Sequence, residues 1–534
     1  VCLQFGDCRD VTPENRRTVE PSPELNLWAL LFSVSNDNEE ETTMHTMETV
    51  ESKRKPSDFT RFVVADLQGN TWEVTPDDFT TCEIFSDKAK DTAVYSKLRQ
   101  FIENELTSKN GSEMIPRHVI YMKDHELLEY CEVSEKGHFS WFPKGVLLQR
   151  LILDYAANLA YEWGAIEMKN PVIIRGDHNL VGQLMGEFHE RDYRVDGGRG
   201  ICYLRYASDP GAFPFMRRIR FHKRQSPLKV YEETSCFRNE QEGEVSGLKR
   251  VRGFTMTDMH AACTSQEEAL REFEILCHRF AELMNDITAN GRWVLGWEGT
   301  IDFYEENKDW LVSLGKEMRV PAFLKLMPEM SHYYAIKNEY QFINQDNSNL
   351  QVCTVQWDTK DGPRFDIGYV DEKEKKHPCP VIVHASSFGS IERALCAILE
   401  NIAIDEESSI PPTFPFWLSP TQIRIIPVAD RYLPTSRELC NKISQQCLRV
   451  DIDDREATVG KKIRNGETEW IPFLLVVGEK EKHSSRLSVR SRYCQEQKDM
   501  TIQEFVETAR QKQGNKPFRP LTLSRYLTER PSFR

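Results

Sequence analysis

No stretch of this 534-residue chain approaches the roughly 20 consecutive apolar residues that span a bilayer, and its first residues lack a secretory pattern. There is no CxxC pair either. The 14 cysteines are scattered, which leaves a zinc ribbon unsupported and reads as reduced thiols in a cytoplasmic protein. Positive charge is not in excess: 69 Lys and Arg stand against 83 Asp and Glu, a net charge of −14. That excludes a protein that coats nucleic acid indiscriminately, but not RNA binding through a local basic surface. No internal repeat is visible, and the central block lacks the regular βα alternation of a parallel nucleotide-binding sheet.

What is present suffices for several domains, with 40% hydrophobic residues. Residues 1–55, polar and acidic, are expected to be a disordered extension. Residues 56–115 read as a small α/β module: RFVVADLQGNTWEV is a hairpin around Gly69-Asn70, and VYSKLRQFIENEL a helix burying Val94, Leu98, Phe101 and Leu106. The block 116–410 has a helix striped by Leu148, Ile152, Tyr155 and Leu159 that stops at Gly164, and a second that starts on Ser265 with Glu268 three residues on. Its irregular strands fit a mixed, mostly antiparallel sheet in an α+β domain. The prolines of 411–420 make a stiff linker. Residues 421–512 alternate strands and helices as a smaller α/β domain, and 513–534 form a basic tail that adds phosphate contacts or nothing.

Two stretches stand out chemically. In FRNEQEGEVSGLKRVRGF, Arg238 and Arg252 lie near the ends of two strands beside Phe237 and Phe254, with Glu240 and Arg250 between them. A solvated hairpin tip would carry such charges; arginine among aromatic residues also suits bidentate phosphate contact and base stacking. In HASSFGSIERALCAILENIA, Gly389 and Ser390 open a helix with Arg393 in its first turn. That is an ordinary exposed helix start, or a place where free N–H groups and a cation meet an anion.

These stretches resemble motifs 2 and 3 of class II aminoacyl-tRNA synthetases, and NPVI around Pro171 resembles motif 1. With RVRGFTMTDMH, PTFPFWLSPTQIRIIPVA and VGKKIR…WIPFLLVVGEKE they resemble the threonyl-tRNA synthetase family in its archaeal form, from about Pro116 to Arg492. The resemblance implies ATP bent between two catalytic arginines, Arg238 on the α-phosphate and Arg393 on the γ-phosphate. Glu240 and Phe254 would take the adenine, Arg250 a phosphate or the tRNA acceptor end, Gln351 the nucleotide, and Mg2+ would bridge the phosphates. The substrate threonine would meet Asp258, Tyr334, Lys337, Gln356 and Ser390. Supplying positive charge and alignment suits attack of a carboxylate on a phosphate.

The family holds a zinc with one cysteine and two histidines. His260 and His384 match the histidines, but LRYASDPGAF puts Asp209 at the cysteine position. An Asp209–His260–His384 site is chemically feasible and harder than the family's; Cys353 is a substitute donor. A metal that demands an oxygen ligand separates threonine from valine, but serine, one methyl smaller, needs editing. No editing domain is recognised in cis, so a separate editing protein is an expected partner. The resemblance further implies a homodimer through motif 1, and anticodon contacts from Lys480, Glu481 and Arg490, which would read splayed bases of tRNA-Thr. The departure at Asp209 keeps two alternatives open: a paralogue with an RNA- or amino-acid-binding regulatory role, or an inhibitor-tolerant duplicate. His189, in GEFHERDY, is not assigned.

Overall fold

The computed structural model describes residues 58–533, except 86–91, 108–114, 180, 183, 185–190, 199, 242, 290, 331–332, 485 and 495–496. The expected extension 1–55 and His189 lie outside the described residues.

A ten-stranded sheet dominates. Its strands in chain order are β1 (Arg61–Ala65), β2 (Thr71–Val74), β3 (Ile166–Glu167), β4 (Leu228–Phe237), β5 (Gly253–Cys263), β6 (Trp293–Thr300), β7 (Ala322–Met327), β8 (Tyr334–Ile343), β9 (Asn349–Asp358) and β10 (Val381–Ser386), arranged β2-β1-β7-β6-β8-β9-β10-β5-β4-β3. Only the β6–β7 and β3–β4 pairs are parallel. The sheet is therefore mixed and mostly antiparallel.

Alternation along each strand sorts side chains onto two faces. One face is apolar: Tyr231, Met259, Ala261, Leu295, Trp297, Tyr340, Cys353, Val355, Val383 and Ala385 share a core with α3 (Pro143–Glu162), α5 (Gln266–Ile287), α6 (Ile301–Met318) and α7 (Ile391–Glu407). Helix α3 begins with Pro143 at its first turn, where the missing N–H is not needed, and Gly164, at φ +90°, follows its end. Ser265 caps α5 by accepting the Glu268 N–H at 3.2 Å, while the Glu268 carboxylate accepts from Thr264 N–H at 2.7 Å, one residue before the usual capping-box donor.

Among the described residues, the opposite face is covered at its two ends. At one end α1 (Thr92–Leu106) packs Leu98, Phe101 and Ile102 against Val294, Phe323 and Ile343. At the other, α4 (Asp209–Met216) sets Phe213 and Met216 against Val230, Ala262 and Ile382. Polar residues line the stretch between.

The C-terminal region has its own five-stranded sheet, β12-β11-β13-β14-β15, made from β11 (Ile423–Pro427), β12 (Val450–Ile452), β13 (Phe473–Val477), β14 (Arg486–Ser491) and β15 (Gln497–Thr501). Helices α8 (Leu433–Ser444), α9 (Val459–Thr468) and α10 (Ile502–Gln513) accompany it. Part of the basic tail is engaged within the chain. Lys516 pairs with Asp286, Arg519 with Asp154 at 2.5 Å and Arg530 with Asp451 at 3.0 Å, so it straps the C-terminal sheet to α3 and α5.

Candidate active site

Register across the polar face brings distant sequence together. His260 on β5 lies opposite His384 on β10, His384 opposite Gln356 on β9, Gln356 opposite Lys337 on β8, and Lys337 opposite Glu298 on β6. One step along, Asp258 lies opposite Ser386. The histidine rings stand 4.9 Å apart between centroids, and Phe213 of α4 meets both edge-on. The same helix presents Asp209 from its first turn, with Oδ1 3.2 Å from His260 Nε2 and 3.9 Å from His384 Nδ1. The three ligand atoms lie within 4.8 Å of one another. On its far side, His384 Nε2 lies 2.8 Å from the fully buried Asp358 carboxylate, which fixes the ring with Nδ1 toward Asp209.

Burial favours neutral rings. At His260 it prevails and lowers the pKa; at His384 the Asp358 carboxylate outweighs it and raises the pKa. Burial, with Asp209 nearby, pushes Asp258 up to about 7. Its Oδ1 is buried and, among the described residues, has no hydrogen-bond partner; the same holds for His260 Nδ1. Four carboxylates thus crowd two imidazoles: Asp209, Asp258, Asp358 and Asp361, the last also raised to about 7 by burial and by Asp358. Two nitrogens and an oxygen aimed at one point, in surroundings of excess negative charge, suit a divalent cation of zinc's tastes. Cys353 does not suit it. Its side chain lies on the helix-covered face, and its Sγ–H donates to Ser387 O at 2.8 Å.

Along the same face, Tyr333 donates its hydroxyl to Gln356 Oε1 at 2.6 Å and stacks obliquely on His384, ring centroids 5.1 Å apart. A bulge between Tyr334 and Ile336 turns Tyr334 toward this face, where its hydroxyl donates to Glu298 at 3.3 Å. Lys337 is held by Glu339 at 2.5 Å. A second irregularity, between Tyr340 and Gln341, places Gln351 opposite Gln341.

Beyond Asp258 the two arginines converge. The Arg238 guanidinium lies over the Phe254 ring, 5.4 Å from its centroid, and donates from Nε to Tyr206 O at 3.2 Å. Arg393, from the first turn of α7, donates from Nε to Lys249 O at 3.2 Å. Burial, then repulsion from Arg238 and Arg250, holds its pKa down at about 10. Positive charge is thus concentrated here: Arg250 is paired with Glu240 and Glu244, whereas Arg238 and Arg393 are held by backbone carbonyls.

Two residues are engaged differently from expectation. Glu240 is buried and gripped by Arg191 and by Arg250, whose Nη2 lies 2.8 Å from it; Arg252 takes its carbonyl at 2.7 Å. Its carboxylate therefore serves the loop's arginines. Ser390 caps α7, its Oγ accepting the Arg393 N–H at 3.1 Å, so its hydroxyl belongs to the helix start. Arg191, Tyr333 and Asp358 are site residues that the motifs did not flag. Asp358 was within reach, since it lies two residues beyond Gln356 and so shares its face.

At the C-terminal sheet, Lys480 pairs with Asp499 at 2.6 Å and Arg490 lies 3.8 Å from Glu467. Both are exposed. Glu481 turns inward to accept the Gly478 N–H at 3.0 Å, closing the start of the short helix Glu479–His483.

Comparison with known proteins fits this geometry. The family model of the tRNA synthetase class II core domain (G, H, P, S and T) matches residues 202–402, and that of the anticodon binding domain matches residues 422–512. The threonine–tRNA ligase of Methanobrevibacter smithii is 38% identical over 438 residues, spanning 82% of this chain and 71% of its own length. The chain belongs to the threonine–tRNA ligase family. A second family member, from Pyrococcus furiosus, is 35% identical over 443 residues, again 82% of this chain and 71% of its own length. Among solved structures, the RNA binding domain of threonyl-tRNA synthetase from Cryptosporidium parvum superposes with a TM-score of 0.64 at 22% identity, over 74% of this chain and 98% of that one. Prolyl-tRNA synthetase from the same organism gives 0.57 at 18%, over 74% of this chain and 75% of its own. Those two likenesses bear on the fold alone.

Proposed function

We infer that the chain activates L-threonine with ATP and transfers it to tRNA-Thr. The observation that carries this reading is one sheet face on which Arg238 and Arg393, held by backbone carbonyls, stand beside Asp258 and the Asp209–His260–His384 cluster. The substrate carboxylate attacks the α-phosphorus, an O–P bond forms, and the bond to pyrophosphate breaks. Arg238 and Arg393 hold the phosphates in line and meet the charge that develops, with Arg250 beside them. Phe254, under the Arg238 guanidinium, offers a stacking surface for adenine, with Gln351 and the Glu240 backbone nearby. Mg2+ enters with ATP, as in class II synthetases generally.

Asp209, His260 and His384 would hold a zinc ion, with Asp358 orienting His384. When bound, the metal supplies a Lewis acid that demands an oxygen ligand and so favours threonine over valine. Asp258, with one carboxylate oxygen unpaired among the described residues, receives the amino group; Gln356, held by Tyr333, and Lys337 and Tyr334 line the far wall. Lys480 and Arg490 read the anticodon, and residues 411–420 link the two domains.

A homodimer through motif 1 has support in exposed apolar side chains along that segment: Ile166, Ile173 and Ile201 are each more than half exposed. Among the described residues no helix is long and apolar enough to cross a membrane; the proposed location is the cytoplasm.

Amino-acid-dependent ATP–pyrophosphate exchange tests the reading. Exchange with threonine, and none with valine, is the expected result. No exchange with any amino acid, alongside intact tRNA binding, would favour a regulatory paralogue.

A further inference from the structure

The loop between β4 and β5 carries Arg238, Glu240, Arg250 and Arg252, and its return limb rests on a residue that no motif includes. His118, in α2 (Arg117–Asp124), is 1% exposed and lies under that limb. Its Nδ1 is 2.6 Å from Glu400 Oε1, and the same oxygen accepts the His118 backbone N–H at 3.1 Å. Its Nε2 accepts the Leu248 N–H at 3.2 Å. The loop lies directly on the ring: Gly247 has φ +49°, and a Cβ there would come within 2.1 Å of His118 Nε2. Only glycine permits that approach.

The geometry fixes the tautomer. Burial opposes charge on this imidazole, but Cys396 and Glu400 outweigh it and push its pKa up to about 10; the Leu248 N–H acts against that at Nε2. The Leu248 N–H aimed at Nε2 leaves no room for a second proton there. The contacts place a proton on Nδ1, directed at Glu400, and leave Nε2 as the acceptor from Leu248.

Glu400 lies on α7, seven residues and two turns beyond Arg393, so both side chains leave the same helix face. Arg393 binds the loop directly through Lys249 O, and Glu400 binds it through His118 and Leu248. Consecutive residues of the loop are thus tied to the helix that carries the second arginine. The other Glu400 oxygen accepts the Gln345 N–H at 3.1 Å and so holds the carboxylate in place. Arg250, two residues beyond Leu248, engages Glu240.

We propose that His118 is a positioning residue for adenylate formation: with Glu400 it locks the β4–β5 loop to α7, so that Arg250 and Glu240 sit in fixed relation to Arg393. The proposal rests on the ATP-site reading above. It places the control of nucleotide geometry in a buried imidazole that touches no substrate.

The test compares His118→Ala, His118→Gln and His118→Asn in the full chain. ATP–pyrophosphate exchange is measured with ATP and threonine varied separately and normalised to folded enzyme, beside amide hydrogen exchange of the loop. Loss of the Leu248 contact in H118A should raise KM for ATP, or lower kcat, about tenfold. KM for threonine should stay within about twofold, because the threonine pocket keeps its contacts. Loop amides from 244 to 252 should exchange faster, and those of α3 unchanged. Glutamine places an acceptor near the Nε2 position and should recover more activity than asparagine, which keeps only the donor toward Glu400. Equal ATP parameters in wild type and H118A, or unchanged loop exchange, overturns the proposal. If H118A does not fold, the Gln and Asn variants decide: identical behaviour overturns it. A wild-type chain inactive with every amino acid would instead defeat the functional reading, and loop exchange would still report on the His118 contact.

Discussion

His260 and His384 face one another from paired strands, 124 residues apart in sequence, and Asp209 reaches both from a helix on a third segment. Two imidazoles and a carboxylate with no sulfur make a harder donor set than the family's cysteine and two histidines. Zinc analysis of the purified chain should therefore find about one ion per chain, falling well below stoichiometry in Asp209→Ala, since three protein ligands are the usual minimum for such a site. Asp209→Cys should retain zinc and resist chelators longer than wild type. Stoichiometric zinc in D209A would remove Asp209 as a ligand.

Arg393 is a half-buried cation repelled by two others, an arrangement that serves an anionic ligand rather than the resting fold. Arg393→Met should lower threonine-dependent exchange at least about a hundredfold, as loss of a charge aimed at a transition state does. Its Tm should fall by no more than about 2 °C, because relief of repulsion at a half-buried charge offsets the lost bond to Lys249 O. A large drop in Tm that accounts for the lost activity would recast Arg393 as structural.

Arg205 and Glu232 form the contrasting case, a fully buried and fully satisfied pair. Two parallel contacts at 3.0 and 2.8 Å join them, and the guanidinium also takes the carbonyls of Ser208 and Ala207 while Glu232 accepts the Asn170 N–H at 2.7 Å. The pair ties motif 1 to β4 and to the turn that delivers Asp209. Glu232→Gln, which leaves the guanidinium without its counter-charge, should cost about 3–5 kcal/mol in denaturant unfolding. A loss below about 1 kcal/mol, the range of surface pairs, would show that the site relaxes or admits water.

How legible this was depended on distance along the chain. Local periodicity gave α1, α3 and α5 and the strand–helix rhythm after residue 420, because those patterns need only neighbours to be read. The family resemblance named Arg238, Arg393, His260 and His384. It could not show that Ser390 is occupied as a helix cap, or that Glu240 is held by Arg191 and Arg250, since both depend on where a side chain turns once the sheet has formed. The tail's basic character left phosphate contacts or none open; Asp154 and Asp286, more than 200 residues earlier, take two of its charges. Partner choice at such separation leaves no trace in composition. His118 escaped for the same reason: a lone histidine on a short helix gives no sign that a glycine from residue 247 will lie on it.

The C-terminal sheet makes a pH prediction of definite sign. Burial works against ionised Glu469, but Arg424, in contact at 2.7 Å, outweighs it and depresses the pKa from 4.5 to about 2. A carboxylate whose folded pKa is depressed contributes stability fully above its unfolded value, and that contribution disappears as pH falls toward the folded one. Glu469 is about a third exposed and Arg424 also holds Asp451, so the effect is tempered by solvent and shared with a second acid. Wild type should therefore melt above Glu469→Gln at pH 6, and the gap should narrow steadily between about pH 4.5 and pH 3 as the carboxylate takes up its proton. A gap that stays constant over that interval would mean that Glu469 acts through packing, with its charge contributing nothing.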